Sequence, residues 1–420
     1  MNNTTRVAVS SHRDPPHPTV SLIGLVFSLY NIVSSFFQDR DTPPGTTLIR
    51  IQAGLSIGRE QEWNGLGGHV PSIVLYNEFG ERWGEKLNDN LDIIVEEGYA
   101  DILVPHVSKL RGYPHYLSLF QPIEEGKTVK RDGGKYQLDP ICISAIWATW
   151  PVPVDMGVHG WTGDIGASCG AQWYYSNTVV GQKGFRPPCV WIGRSEKLGA
   201  FQHGGMSMQI TGFHATPQRQ AWIKEHPKVL CDSPARFSMY TYLNQHHAIP
   251  TFGPAFTYYD DDERNGIDNR EGRLPLSVDW ELHRDDDDHK KWLSMGSRDT
   301  TLVKHPQMAK SYVPGEVEHP EELRNQFSAS HEAFKGTLVT SKNPSHSART
   351  LCESVSSVGP DLVSLEEGLF CDMSQKKLSH LCTYVGELNC FDRKYNTTHG
   401  SAPGSVVKKQ VSPYTTFYDW

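Results

Sequence analysis

Short apolar runs separated by turn residues dominate the first half of the chain. Residues 48–53, 70–76, 102–107, 116–120 and 141–150 are each long enough for one strand, and Gly, Pro and Asn separate them. Closely spaced short strands of this kind are typical of an antiparallel sandwich or barrel. Further strands are predicted over 91–95, 179–180, 189–192 and 206–213.

One segment carries helix signals. Thr216 is a suitable N-cap and Pro217 suits the first helical position, so a helix is predicted over 216–230 and would end early at Pro227. Residues 157–193 are dense in Gly, Trp and Tyr and predict tight hairpins. The acidic runs at 260–263 and 285–288 are typical of solvated loops.

Composition supports a β fold. Apolar residues make up 38% of the 420 residues, whereas 37 Gly, 27 Pro, 11 Trp and 17 Tyr favour turns and pleated, aromatic surfaces. We predict a mostly β protein, with an antiparallel β-sandwich or jelly-roll-like body and a small disulfide-rich C-terminal unit. The predicted division is 1–35 signal peptide or anchor, 42–215 aromatic-rich β-sandwich, 216–345 acidic loops and connecting arm, 346–400 Cys-rich unit, and 401–420 tail.

The N-terminal segment is typical of a secretory signal. Arg6 and Arg13 precede an apolar stretch over 20–33, and small residues then favour cleavage after Ser35. A signal anchor is the alternative, although polar residues interrupt the apolar stretch. The predicted location is therefore the secretory pathway, with membrane contact only if this segment is uncleaved.

The cysteines agree with that route. An even number of cysteines in a secretory context predicts disulfides. Cys169 with Cys189 is the predicted pair in the body, and the last four cysteines are predicted to pair among themselves. Asn396, followed by Thr397 and Thr398, is a predicted glycosylation acceptor. The eight cysteines are Cys142, Cys169, Cys189, Cys231, Cys352, Cys371, Cys382 and Cys390.

Charge and motifs exclude several function classes. A formal net charge of −8 without a cationic cluster argues against nucleic-acid binding. Neither a dinucleotide fingerprint nor a P-loop occurs, so no cofactor is predicted. No metal is predicted either, because zinc-ligand spacings are missing and the calcium-loop-like segment 261–272 has Gly272 where a bidentate Glu is needed.

The segment 166–170 matches the G-x-S-x-G form around Ser168. A nucleophile elbow needs a buried strand before the serine and a helix after it. Neither is evident here, and the neighbouring Cys169 is a predicted disulfide partner. A serine hydrolase is therefore only the third hypothesis.

An aromatic cluster is the most distinctive feature of the chain. It is either the core of the sandwich or the wall of a ligand cleft. On the second interpretation, His159, Asp164 and Asn177 are candidate catalytic groups that could exchange protons or hydrogen bonds with a bound oxygen. The candidate substrate-binding residues are Trp161, Trp173, Tyr174, Tyr175 and Trp191, with Trp147 and Trp150 nearby in sequence.

Several strings resemble a family of fungal secreted, cysteine-containing proteins. The resemblance extends from about Leu48 to Asp392. The matched strings begin at Asp139 (DPICI), Trp150 (WP), Gly160 (GWTGD), Cys169 (CGAQWYYSN), Pro188 (PCVWI), Leu351 (LCES), Gly359 (GPD) and Glu367 (EGLFCDM).

This family includes hetero-Diels–Alderases of tropolone–sesquiterpenoid biosynthesis. The resemblance implies a reaction between a tropolone o-quinone methide and a humulene-type polyene that gives a dihydropyran. The partners would be small hydrophobic substrates, and the family supplies no site motif to transfer. The alternative hypothesis is a secreted, non-catalytic β-sandwich that binds carbohydrate or another ligand; the oligomeric state stays open.

Overall fold

The chain is mostly β, as predicted. The first and second sheets form a face-to-face sandwich, and a third sheet packs beside it. The computed structural model describes residues 42–54, 67–88, 93–94, 98–107, 113–121, 129–131, 134–136, 140–149, 159–180, 184–193, 201–213, 229–232, 235–240, 243–252, 334–383, 387–399 and 412–420.

Fifteen of the described strands precede residue 250. They are β1 (Thr46–Ala53), β2 (Gly68–His69), β3 (Ser72–Tyr76), β4 (Arg82–Lys86), β5 (Ile93–Ile94), β6 (Tyr99–Pro105), β7 (Tyr116–Phe120), β8 (Val129–Arg131), β9 (Gly134–Tyr136), β10 (Ile141–Thr149), β11 (His159–Thr162), β12 (Trp173–Tyr174), β13 (Cys189–Ile192), β14 (Gly205–Gln209) and β15 (Phe237–Tyr240).

The sandwich core follows from alternation along these strands. The first sheet has the order β12-β13-β10-β1-β6, with β11 also paired to β10, and the second has the order β15-β14-β7-β3-β4. Ile49 and Ile51 of the first sheet pack in the same buried cluster as Leu117 and Leu119 of the second. Because side chains alternate between faces, these strands place every second residue between the two sheets.

Strand β10 keeps its apolar residues in the core through a bulge at Ser144. Gln52 pairs with Ala145 and Ala53 pairs with Ile143, so Ser144 is the extra residue. Its hydroxyl donates to the carbonyl of Gln52 at 3.1 Å. The bulge changes the phase of the alternation, so Ile143 and Ile146 both enter the core.

The third sheet forms the C-terminal unit. Its seven strands have the order β21-β20-β19-β18-β17-β16-β22. It begins at Thr337, within the predicted connecting arm, and includes the chain end. The bounds are β16 (Thr337–Ser341), β17 (Asp361–Ser364), β18 (Leu369–Asp372), β19 (Lys377–Leu381), β20 (Cys390–Asp392), β21 (Thr397–Thr398) and β22 (Thr416–Asp419).

Three hairpins of the third sheet share one backbone geometry. Gly368, Lys376 and Asn396 each have a positive φ, at 65°, 50° and 49°, and each lies just before the returning strand. Asp372 and Asp392 open two of these turns, and their carboxylates accept from backbone amides of the turn residues. Asp and Asn stabilise turns in this way, and Asn tolerates the left-handed region.

All eight cysteines form disulfides. The pairs are Cys142–Cys189, Cys169–Cys231, Cys352–Cys371 and Cys382–Cys390. The prediction that the last four pair among themselves is confirmed. The predicted Cys169–Cys189 pair is wrong, because Cys189 lies on β13 beside β10, which carries Cys142. The four disulfides are consistent with an oxidising secretory environment.

Glycines of segment 157–193 form a helix where hairpins were predicted. Helix α1 (Gly163–Ser168) connects β11 to the turn before β12. A Cβ on Gly163 would lie 2.1 Å from the carbonyl oxygen of Pro188, and one on Gly166 would lie 2.6 Å from Val190 Cγ2. These glycines therefore allow a helix to pack tightly against β13.

Two further predictions differ from the described chain or lie outside it. The strand predicted over 206–213 ends at Gln209, and Ile210–Phe213 forms a 3₁₀ turn. Short helices α2 (Val229–Asp232) and α3 (Ala348–Glu353) complete the described elements. Several predictions lie outside the described residues: the signal segment, Trp150, most of the 216–230 helix and the acidic loops. Within the described residues, no helix is long and apolar enough to span a bilayer.

Candidate functional site

Four of the five candidate substrate-binding aromatics lie between the first and third sheets. Trp173, Tyr174, Tyr175 and Trp191 are buried in one cluster with residues of the third sheet and α3. We call these four side chains the aromatic platform. The platform is covered by the C-terminal unit, so in this conformation it forms an internal contact surface.

The polar tips of the platform are engaged by one short segment, residues 347–360. Trp173 Nε1 donates to Ser354 Oγ at 3.0 Å and Trp191 Nε1 donates to the Val358 carbonyl at 2.8 Å. The hydroxyls of Tyr174 and Tyr175 donate to the carbonyls of Pro360 and Ser347. Buried Tyr and Trp usually find such partners, which here fix the third sheet against the first.

Two candidate residues, His159 and Trp161, lie instead inside the sandwich. Both point inward from β11 and line a cavity of about 10 Å³. That volume admits one water-sized group. The remaining lining residues are Leu117, Ile146, Ala148, Gly160, Met208, Ile210 and Phe213.

The cavity wall contains a buried donor. Trp161 is 1% exposed, stacks on Phe237 with ring centroids 5.6 Å apart, and its Nε1 has no hydrogen-bond partner within the described chain. A buried donor without an acceptor costs roughly 1–3 kcal/mol. A carbonyl oxygen that reached Trp161 Nε1 would therefore gain a hydrogen bond that the described residues do not supply.

Asp164 occupies a separate, fully buried position in the first turn of α1. Neither carboxyl oxygen has a partner of normal hydrogen-bond geometry in the described residues. Burial raises the pKa of Asp164 to about 7, against smaller lowering effects from the Thr162 hydroxyl and the backbone at Asp164 and Ile165. Below that pH the group is a neutral acid and could donate a proton.

Replacing Asp164 tests this burial. The unfolded chain ionises near pH 3.8, whereas the folded carboxyl keeps its proton until about pH 7. Stability should therefore fall as pH rises through that window, by up to about 4 kcal/mol. We expect Asp164→Asn to match the wild type near pH 4 and to exceed it at pH 8, measured by urea unfolding. Parallel pH profiles of the two proteins would contradict the assignment.

The third candidate catalytic residue has different surroundings. Asn177 is half-buried, and its side-chain oxygen accepts from Arg186 Nε at 3.0 Å. His159 lines the cavity, Asp164 lies in α1, and Asn177 lies in the loop after β12. The described contacts therefore give the three predicted catalytic residues three different environments.

Ser168 does not have the surroundings of a nucleophile elbow. It ends helix α1, and its hydroxyl donates to the carbonyl of Ile165 at 2.8 Å. The next residue, Cys169, is bonded to Cys231. Since an elbow needs the serine between a strand and the start of a helix, this geometry does not favour a hydrolase.

One group of potential metal ligands occurs within the described chain. His380, Glu387 and Cys390 place their ligand atoms within 4.8 Å of one another. The sulfur of Cys390 is in a disulfide with Cys382, so it cannot act as a thiolate ligand. His380 and Glu387 instead bind each other, with Nε2 and Oε1 2.8 Å apart.

The ring of His346, a residue not predicted from the sequence, is buried against the platform. The ring stacks on Tyr175 with centroids 4.8 Å apart and lies 5.5 Å from the Trp420 ring. Its position before α3, within Asn343-Pro-Ser-His346, carries no periodic signal. Only the fold brings it to Tyr175, 171 residues earlier in the chain.

Comparisons with known proteins add no identification. No protein-family model matches the chain, and no curated protein does. Crystal structures of two LOX deletion variants share 8% and 7% identity with it, at TM-scores of 0.22 and 0.19. Each alignment covers 57% of this chain and 28% or 29% of the LOX chain, so this chain spans under a third of the LOX length. Similarity at TM-scores this low supports no conclusion about fold or function.

Proposed function

We propose that the chain is a cofactor-independent hetero-Diels–Alderase of the secretory route. It would join a tropolone o-quinone methide to a humulene-type polyene. The observation that supports this proposal is the cavity lined by His159 and Trp161, where two candidate site residues meet an otherwise apolar wall.

The chemistry requires little more than orientation and polarisation. Holding two reactants in a reactive geometry can lower the barrier by roughly 7–11 kcal/mol. A donor to the quinone-methide oxygen adds electrostatic stabilisation as charge develops on that oxygen. A cavity of about 10 Å³ would take this oxygen alone.

Trp161→Phe tests the polarising role. The substitution keeps an aromatic ring but removes the Nε1 donor, and the loss of one such donor typically lowers a rate by roughly 10²–10³-fold. We expect wild type to give one stereoisomer of the adduct and Trp161→Phe to form it far more slowly. Chiral chromatography of timed reactions with a quinone-methide precursor and humulene measures both.

Trp83→Phe is the matched control. Trp83 is buried in the same core and its Nε1 likewise has no partner in the described residues, but it does not line the cavity. We expect this variant to keep the wild-type rate. If wild-type protein gave racemic product at the uncatalysed rate, the proposed enzymatic activity would be refuted. The alternative would then be non-catalytic ligand binding, which calorimetry or glycan arrays can detect.

Secretion and glycosylation belong to the same proposal. Asn396 lies in the hairpin between β20 and β21, and Thr398, the sequon hydroxyl residue, is exposed. A glycan at Asn396 would therefore extend from the end of a hairpin. Treatment of protein from a fungal secretion host with an N-glycosidase should lower its mass, and Asn396→Gln should abolish that change.

A further inference from the structure

No disulfide crosses the boundary between the sandwich and the third sheet. Two disulfides lie within the sandwich, Cys142–Cys189 and Cys169–Cys231, and the other two lie within the C-terminal unit. No cysteine remains to cross the boundary. Each unit is therefore crosslinked separately, so the sandwich and the C-terminal unit could separate while both stay folded.

Among the described residues, the backbone–backbone hydrogen bonds across the boundary centre on Trp173. Its amide donates to the Ser356 carbonyl at 3.1 Å, and its carbonyl accepts from the Val358 amide at 2.9 Å. These two amides report directly on whether the boundary is closed.

His346 lies at this boundary and is 1% exposed. Its Nδ1 is 2.8 Å from Ser341 Oγ, and its Nε2 is 3.3 Å from the side-chain nitrogen of Asn343. The Asn343 side-chain oxygen already accepts from Ser345, so its nitrogen faces the ring as a donor. A neutral imidazole can accept that bond, whereas a protonated ring has only donors.

The charged surroundings also oppose protonation of the ring. The pKa of His346 is lowered to about 4, mainly by burial and also by the positive charge of Arg186, whereas the hydrogen bond with the backbone of Ser176 acts in the opposite direction. Tyr175 and Trp420 present aromatic rings to it. The carboxylate of Glu367 is bound by Ser347 and the Arg349 amide instead.

We propose that His346 is an acid-sensitive lock between the sandwich and the third sheet. Protonation of the ring places a donor against Asn343 and a second positive charge near Arg186. The third sheet then separates from the sandwich and uncovers the aromatic platform. The disulfides on each side keep both units folded, so the change is reversible on return to neutral pH.

The lock predicts a defined pH window. A ring freed by opening regains an ordinary pKa near 6.5, so opening takes up a proton between about pH 6.5 and pH 4. The opening equilibrium should rise on the order of 10²-fold between pH 7 and pH 4.5. Hydrogen exchange of the full, oxidised protein, corrected for intrinsic rates, measures this at the amides of Trp173 and Val358.

Two variants make the test specific. His346→Gln and His346→Phe carry no titratable ring, and we expect both to lose the acid-dependent rise even if their opening at neutral pH differs from wild type. His203→Gln is the control, because His203 is also buried, precedes β14 of the second sheet, and has its pKa lowered by burial to about 4 as well. That variant should open like wild type.

Three results would overturn the lock. The first is unchanged protection of the Trp173 and Val358 amides in the wild type at pH 4.5. The second is acid opening of His346→Gln as large as that of the wild type, which would assign the effect to another group. Exchange that rises equally in β1 and β10 would indicate global acid unfolding and would also contradict the proposal.

Discussion

Removing the Cys142–Cys189 disulfide is expected to cost about 4 kcal/mol of unfolding free energy. The two residues are separated by 47 positions, and the entropy of the loop closed in the unfolded chain grows with its length. Both residues are also fully buried, so the double variant Cys142→Ala/Cys189→Ala leaves a cavity between the first and third sheets.

The Cys382–Cys390 disulfide supplies a matched comparison. It closes a separation of only 8 residues, for which the same relation gives about 2–3 kcal/mol. Urea unfolding followed by tryptophan fluorescence measures both variants, because Trp161 is buried in the sandwich and Trp173 and Trp191 are buried against the third sheet. We expect a larger shift of midpoint for the first double variant than for Cys382→Ala/Cys390→Ala. Equal shifts would contradict the loop-length argument.

Strands in the sandwich could be predicted because their patterns are local. β7 and β13 have the predicted bounds, and β10 ends one residue before its prediction. These runs are apolar because their residues are buried on both faces, against the opposite sheet and against the layers outside. Continuous burial makes them visible in sequence without knowledge of their partners.

The C-terminal hairpins were less predictable. β19 and β20 are short, and the residues that define their turns are Lys376 and Asn396 in the left-handed region rather than glycine. A lysine in that conformation has no sequence signal of its own. The pairing depends on the Asp side chains that open the turns and on the disulfides that follow.

Disulfide pairing depended on contacts that sequence separation does not reveal. Cys169 and Cys189 are consecutive cysteines in the sequence, and the sequence-based prediction paired them. The β10–β13 register places Cys142 opposite Trp191, two residues from Cys189, while Cys169 follows α1 and meets Cys231. Strand adjacency decided the partner of Cys189, and contact between the end of α1 and helix α2 decided the partner of Cys169.

The role of the aromatic platform could not be decided from its own segment. A run of Trp and Tyr suits either a core or a cleft, and the difference lies in what faces it. The facing segment, residues 347–360, comes more than 150 positions later in the chain. His159 and Trp161 alternate along β11 and both line the cavity, and their separation from Asn177 follows from β11 pointing them inward.

Gly359→Ala is expected to destabilise the boundary by about 3 kcal/mol. A Cβ at this position would lie 2.2 Å from Cδ2 and 2.7 Å from Cε2 of Tyr174. The ring cannot move aside easily, because its hydroxyl donates to the carbonyl of the adjacent Pro360 at 3.0 Å. The added methyl group must therefore displace the whole segment that holds the aromatic platform.

A double-mutant cycle separates this clash from a general effect of the substitution. In a Tyr174→Ala background the ring is gone, so Gly359→Ala should cost less than about 1 kcal/mol. Gly368→Ala, at a φ of 65° with no atom within 4 Å, should show only the backbone cost of about 1–2 kcal/mol. Urea unfolding of the four cycle members measures the coupling. Additive costs would mean that Tyr174 does not restrict residue 359, and the packing of the third sheet on the platform would then need another basis.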